Sequence, residues 1–250
     1  QLHSPDLALQ ITADVPTTVK GVRLDVRRLE IAITKSGFIV NPSACTTLQG
    51  TAAFTGKQGA TATDAMSISV DPASCASQSF DPQISFGAGN PKPGEASDFT
   101  TDITLSAPAG QSVSPFKAAT VRLPQGMSLS ASAGATGTLA GCTDAQFDAS
   151  TPFADPTCPA AAKIGDLTIQ SATVGQLSGG VWLAATGTGH LARVFAFARS
   201  TNFPGASVKL SGTIDVDAST GIATADFAGA PEVPFTTFTM SFRGGTNPAL

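Results

Sequence analysis

Residues 121–165, VRLPQGMSLSASAGATGTLAGCTDAQFDASTPFADPTCPAAAKIG, interrupt a chain that otherwise alternates apolar and polar residues. Ser, Thr, Ala and Gly dominate this stretch and cannot bury much apolar surface. Cys142 and Cys158 stand far enough apart in it to staple a loop. It therefore reads as a long disulfide-held excursion from a β-sandwich. Thr143-Asp144-Ala145-Gln146 fits a short helical turn capped by Thr143 or Asp144.

Downstream of residue 166 the period of two returns. DLTIQSATV, SGGVWLAATG, HLARVFAFARS, ASVKLSGTIDVD, GIATADFAG and FTTFTMSFRGG read as six strands at short spacing. Phe238, Met240 and Phe242 share one face of the last. Asp217 to Gly221 forms a hairpin loop with glycine where a left-handed conformation is needed.

Upstream, Leu7, Leu9 and Ile11 alternate along an extended strand within residues 5–14. GVRLDVRRLEIAI at 21–33 forms another, with a bulge at Arg27–Arg28 to restore its phase. Phe38 and Val40 make a short strand ended by Asn41-Pro42. Residues 46–56 and 60–70 form a hairpin joined by Lys57-Gln58-Gly59, and Asp71-Pro72 stops its second strand. The Pro- and Gly-containing stretch near 82–90 reads as a domain boundary. Beyond it Phe99, Thr101, Ile103 and Leu105 share a face, and FKAATVRLP is a strand stopped by Pro124. No long helix is expected. The fold class is all-β, with two antiparallel, immunoglobulin-like β-sandwich domains. Residues 1–16 are an arm, 17–83 the first domain and 84–250 the second, larger one.

Charged residues are 13% of the chain, about half the usual share, and the net charge is -4. Nucleic-acid binding rewards clustered Lys and Arg, and Arg23, Arg27 and Arg28 are too few to make a groove, so no nucleic acid is expected. No run of about 18 apolar residues is present to span a membrane. The start at Gln1 fits a mature N-terminus left after signal removal.

The four cysteines are Cys45, Cys75, Cys142 and Cys158. They contain no CxxC, and His3 and His190 are the only histidines, which disfavours structural zinc. Disulfides and an oxidising, extracellular setting fit better. Three connectivities exist. Cys45–Cys75 with Cys142–Cys158 is the pairing that closes each bond within one domain.

No residue stands out as a nucleophile, and no catalytic site, cofactor or metal is expected. His190 reads as a solvated turn residue. Asp215, Asp217, Asp226 and Thr220 could offer oxygens to Ca²⁺ but suit the polar face of a hairpin better. The glutamates Glu30, Glu95 and Glu232 need no glycosidase pair to explain them. LPQGM at 123–127 lacks the apolar segment and basic tail of a sortase signal. Lys35, Lys117 and Lys209 are isopeptide candidates by strand context alone. Trp182, with Phe195 and Phe197, could stack a sugar ring, whereas alternating Phe is more often core.

Several stretches together resemble a repeat module of very large secreted actinobacterial proteins. They are NPSACTTLQGTAAFTGKQGATAT at 41–63, VRLPQGMSLS, LAGCTDAQF, CPAAAKIGDLTI, GVWLA, VKLSGTIDVDASTG and PFTTFTMSFRGG. The resemblance covers about residues 20–245 and implies extracellular location and modular architecture, with no assigned activity. Here Trp182 stands where the module has Tyr in a GxVYLA-like strand.

The expected function is that of a secreted, non-enzymatic cell-surface protein that polymerises with itself. A strand donated by the arm (Leu7, Leu9, Ile11) to the open sandwich edge of a neighbour would build a pilin-like filament. The alternative is a monomeric adhesion module that binds a cell-surface glycan through Trp182.

Overall fold

The computed structural model describes residues 2–3, 8–9, 11–24, 26–28, 30–32, 34, 45–90, 92–109, 113–127, 140–148, 154–185, 189–203, 205–230 and 234–243. The protein is all-β and antiparallel. Its main body is one nine-stranded sheet drawn from residues 82–242.

Before that sheet come small pairs. Strands β1 (Leu2–His3) and β2 (Ala8–Leu9) pair with each other, as do β3 (Thr18–Val19) and β4 (Val22–Arg23). Lys20 and Gly21 link the second pair with φ of 48° and 82°, the two positive angles that a tight hairpin turn demands. Strands β5 (Leu48–Thr55) and β6 (Thr61–Ile68) form a longer hairpin, in register from Leu48↔Ile68 to Thr55↔Thr61. Its extent matches the sequence expectation. Helix α1 (Pro72–Ala76) follows, with Asp71 as cap accepting from the amides of Ala73 and Ser74.

Among the described residues of the strand expected over 21–33, only Val22–Arg23 are in a strand, and Ile11–Pro16 is in none. The reason is burial. Val22, Leu24, Val26 and Ile31 are all exposed, so their alternation meets no opposing layer. The bulge expected at Arg27–Arg28 is therefore not formed; Arg28 instead pairs with Glu30. Phe38 and Val40 lie outside the described residues, as does Leu7.

The nine strands run in the spatial order β7 (Pro82–Ala88), β8 (Phe99–Leu105), β15 (Thr237–Phe242), β10 (Lys163–Ser171), β11 (Gly175–Leu183), β12 (Ala192–Ser200), β13 (Ser207–Val216), β14 (Ala223–Ala228), β9 (Ala118–Arg122). All six strands expected after residue 166 are present, and Gly221 has the expected positive φ, 70°. Strand β7 occupies the stretch that reads as a boundary in the sequence. Pro82 is its first residue, where a missing N–H is tolerated on an edge strand.

The sheet curls around its own core. Ile169, Leu177, Val181, Val194, Val208, Leu210, Phe238 and Met240 point to one side and are buried together. Phe238 on β15 and Val208 and Leu210 on β13 line a common small cavity although three strands separate them in the sheet. Only curling brings them together. Phe116, in the approach to β9, packs edge-on against Phe235 with centroids 5.0 Å apart and fills this end. A parallel bridge from Ser79 to Val113, with the Ser114 amide donating to the Ser79 carbonyl at 3.0 Å, ties the lead-ins of the two edge strands. Each such fully buried aliphatic side chain stabilises the fold by about 1.5–3 kcal/mol. No described residue between 11 and 90 is buried, so the early hairpins lack a comparable core. The nine-stranded sheet begins at Pro82, close to the division expected at 83/84; it is one curled sheet, and the described hairpins before it are exposed.

Candidate functional site

Strand β12 carries RVFAFAR at 193–199 and is buried on both faces. Val194, Ala196 and Ala198 face the curled core, while Phe195 and Phe197 face outward into a second cluster. That cluster holds Cys142, Phe147 and Ala162 of the excursion, together with Ala184 and the partly buried Trp182 and Cys158. The period of two thus builds two cores from one strand.

The described residues 140–148 and 154–162 of the excursion lie on the outer face of the sheet and are anchored at several points. Helix α2 (Asp144–Phe147) has Thr143 as its cap, in a capping box with Gln146. Cys142 and Cys158 are bonded, with Cα atoms 5.0 Å apart, and Cys45–Cys75 is the other bond. These are the two pairs chosen from the sequence. Arg193 reaches Asp144 at 2.9 Å and Arg199 reaches Asp155 at 2.8 Å, on either side of the two phenylalanines. Lys209 donates to the carbonyls of Phe147 and Asp148 at 2.7 and 2.9 Å. Burial lowers the Lys209 ammonium from its ordinary pKa, against the pull of Asp148 and Asp155. Sequence reasoning missed the two arginine anchors. The signal was present, because Arg193, Phe195, Phe197 and Arg199 all fall on odd positions of one strand.

Trp182 sits opposite Phe195 across the β11–β12 ladder. Its ring covers Gly180, where a Cβ would lie only 2.8 Å from the indole and 2.7 Å from the Lys163 side chain. Lys163 and Arg243 both pair with Asp166, which faces Gly180 across β10–β11. Partial burial would raise the Asp166 pKa, but the hydrogen bonds and charges of Lys163 and Arg243 outweigh it and hold it below the usual carboxylate value. The result is a half-buried aromatic ring beside an ion-paired polar group.

The other residues singled out do not converge. His190 lies on a bend but is not simply solvated: its Nδ1 is 2.8 Å from Asp215. Asp217 accepts from the Ser219 amide and hydroxyl and the Thr220 amide, closing its own loop, and Asp226 accepts from the Thr120 hydroxyl. The described residues contain no group of three or more His, Cys, Asp or Glu placed to hold a metal. Glu30 pairs with Arg28 and Glu95 with Lys92, whereas Glu232 and Lys35 are outside the described residues. Lys117 is exposed in the approach to β9.

The two sheet edges differ. Strand β7, PQISFGA, has no charged residue and pairs only with β8 among the described strands. Ile84 opposes Ile103 and Phe86 opposes Thr101, so both point to the core side, yet they are 48% and 41% exposed. Strand β9, AATVR, ends in Arg122, follows Lys117 and lies between Pro115 and Pro124. Of the arm residues, Leu9 falls within β2 and Ile11 is exposed outside any strand.

No family model, curated protein or solved structure matches this chain. No helix among the described residues is long and apolar enough to cross a membrane. Two disulfides are the mark of a chain that matures outside a reducing cytosol.

Proposed function

We propose that this chain is a secreted, non-enzymatic structural protein of the cell surface that assembles with copies of itself by β-strand addition. The observation that carries the reading is strand β7. It is an uncharged edge whose outer side pairs with no other described strand, and two exposed apolar side chains continue the core face. Such an edge is a template for another strand unless charge, proline or a covering element blunts it. The resemblance to a secreted repeat module and the low charge of the whole chain fit the same role. Electron microscopy and sedimentation of the purified protein test it. Filaments, or oligomers growing with concentration, are the expected result; a monomer at every attainable concentration overturns the reading.

Trp182 favours a second reading, an adhesion module that binds a surface glycan. A ring held over glycine beside the Asp166–Arg243 pair combines a stacking face with polar partners. A glycan screen with Trp182→Ala as control tests it, the expected result being binding lost in the variant without any change in assembly.

A further inference from the structure

We infer that the β5–β6 hairpin of a second copy is the segment that docks on β7. The inference rests on the assembly reading above and assigns both halves of the contact.

The acceptor follows from comparing the two edges. β9 ends in Arg122 and is flanked by Lys117 and two prolines, whereas β7 has no charge within it and is blunted only at its start, by Asp81 and Pro82. The row Phe242, Phe99, Phe86 runs outward along the inner face, with Phe86 stacked on Phe99 at 5.6 Å, and ends in solvent. A strand added beside β7 would continue that row.

The donor follows from the hairpin. Directly opposed residues share a face, so Leu48 and Ile68, Gly50 and Met66, and Phe54 and Ala62 make one apolar side, interrupted only by Asp64. Phe54, Met66 and Ile68 are 58%, 56% and 57% exposed. Neither outer edge of the hairpin is paired among the described strands, and β5, LQGTAAFT, carries no charge. It has eight residues against the seven of β7. The hairpin is already formed, whereas the described strands of the arm are two residues each. Donating a formed hairpin costs less ordering entropy than donating an arm.

A second copy, not the same chain, supplies the hairpin. Residues 69–81 join β6 to β7, contain α1 and are tied by Cys75 to Cys45 at the root of β5. With that tie in place the chain leaves β5 and β7 in separate sheets. Burying the five exposed side chains of the two faces removes on the order of 500 Å² of apolar surface, given the usual size of such side chains. A stable pairwise interface needs about 1,600 Å². The contact is thus weak singly. It is also heterologous, hairpin on one copy and edge on the next, so it propagates into an open chain and does not close as a dimer.

A mixing experiment tests this. The acceptor-blocked variant is Gln83→Lys with Ser85→Lys; the donor-blocked variant is Phe54→Ser with Ile68→Ser. All four positions are exposed, and unchanged circular dichroism and Tm verify folding. Each variant alone is expected to lose at least tenfold of the assembly seen for the native chain, while an equimolar mixture forms 1:1 dimers whose fraction rises with concentration, and nothing longer, by sedimentation. Undiminished assembly of either variant overturns the inference. So does loss of assembly on Ala118→Lys in β9, or on removal of residues 1–14, when both blocked variants still assemble. A native chain that stays monomeric throughout instead brings down the assembly reading itself.

Discussion

The Phe147 ring lies flat on Phe195, with centroids 4.3 Å apart and planes 5° from parallel. One ring belongs to the excursion and the other to the central strand β12, and both are almost fully buried. Among the described residues of the excursion, Phe147 is the large side chain buried here, beside the small Cys142 and Ala162, so this contact carries most of their packing. Phe147→Ala is expected to cost about 3–5 kcal/mol by the usual toll of deleting a buried aromatic ring. Urea denaturation checks the magnitude. Protease cleavage between Cys142 and Cys158 in the variant, absent from the native chain, checks that the excursion is what loosens.

The arginine anchors beside that stack are a different case. Arg193–Asp144 and Arg199–Asp155 have good geometry, but the aspartates are 73% and 59% exposed. Exposed ion pairs contribute about 0.2–1 kcal/mol and weaken with salt. Arg193→Ala and Arg199→Ala are therefore expected to destabilise by less than about 1 kcal/mol each, much less than Phe147→Ala. The Arg193 variant also loses the guanidinium over the Phe195 ring, 5.3 Å from its centroid. Equal denaturation midpoints for an arginine variant and Phe147→Ala would mean that charge, not packing, fastens the excursion.

The two disulfides should part company under mild reduction. Cys142 is wholly buried in the outer cluster, whereas Cys45 is exposed and Cys75 partly so. Thiol–disulfide exchange needs the attacking thiolate to reach sulfur. Cys45–Cys75 is expected to open first in a low concentration of reductant without denaturant, with Cys142–Cys158 protected until the fold loosens. Alkylation and mass mapping over time decide it, and simultaneous opening would show that the excursion lifts off readily.

Trp182 is the single tryptophan of the chain, so its fluorescence reports the outer face alone. Gly180→Val places a side chain where the indole and Lys163 already lie. The flexible lysine can move aside, but the ring must lift. A red-shifted emission and greater quenching by iodide are expected, with the curled core intact by circular dichroism. An unchanged spectrum would mean that the ring does not rest on Gly180.

Much of this was legible because sheets write themselves in a period of two. The six strands after residue 166, a hairpin over 46–70 and a helical turn capped by Thr143 or Asp144 all follow from alternation and turn chemistry. The failures have one cause, that alternation says which side chains share a face and not what covers the face. Val22, Leu24 and Val26 alternate as well as Leu167 and Ile169 do, but only the latter meet an opposing wall, supplied by a sheet curling over many residues. The β7 stretch is the converse case: Pro82 looks like a breaker until the strand is known to be an edge, where its missing N–H is tolerated. RVFAFAR at 193–199 reads as one buried face, and its second face becomes intelligible only once the excursion is seen lying on it.

Asp217 carries the pH dependence that can be stated with a number. The Ser219 hydroxyl donates to its carboxylate, followed by the amides of Thr220 and Ser219, and these bonds bring its pKa down to about 2. A carboxylate depressed in the folded state contributes stability above its unfolded pKa near 3.8 and loses it as the pH falls through about 2. The Asp217–Gly221 loop should accordingly stay closed at pH 4 and open as the pH falls through about 2. A carboxyl titration followed by NMR is expected to give a midpoint near 2 for Asp217, with the Ser219 and Thr220 amides shifting along the same curve. Asp217→Asn should remove that transition while leaving the β13–β14 ladder paired. A midpoint near 3.8 would show that the hydroxyl and amides do not hold the carboxylate in solution.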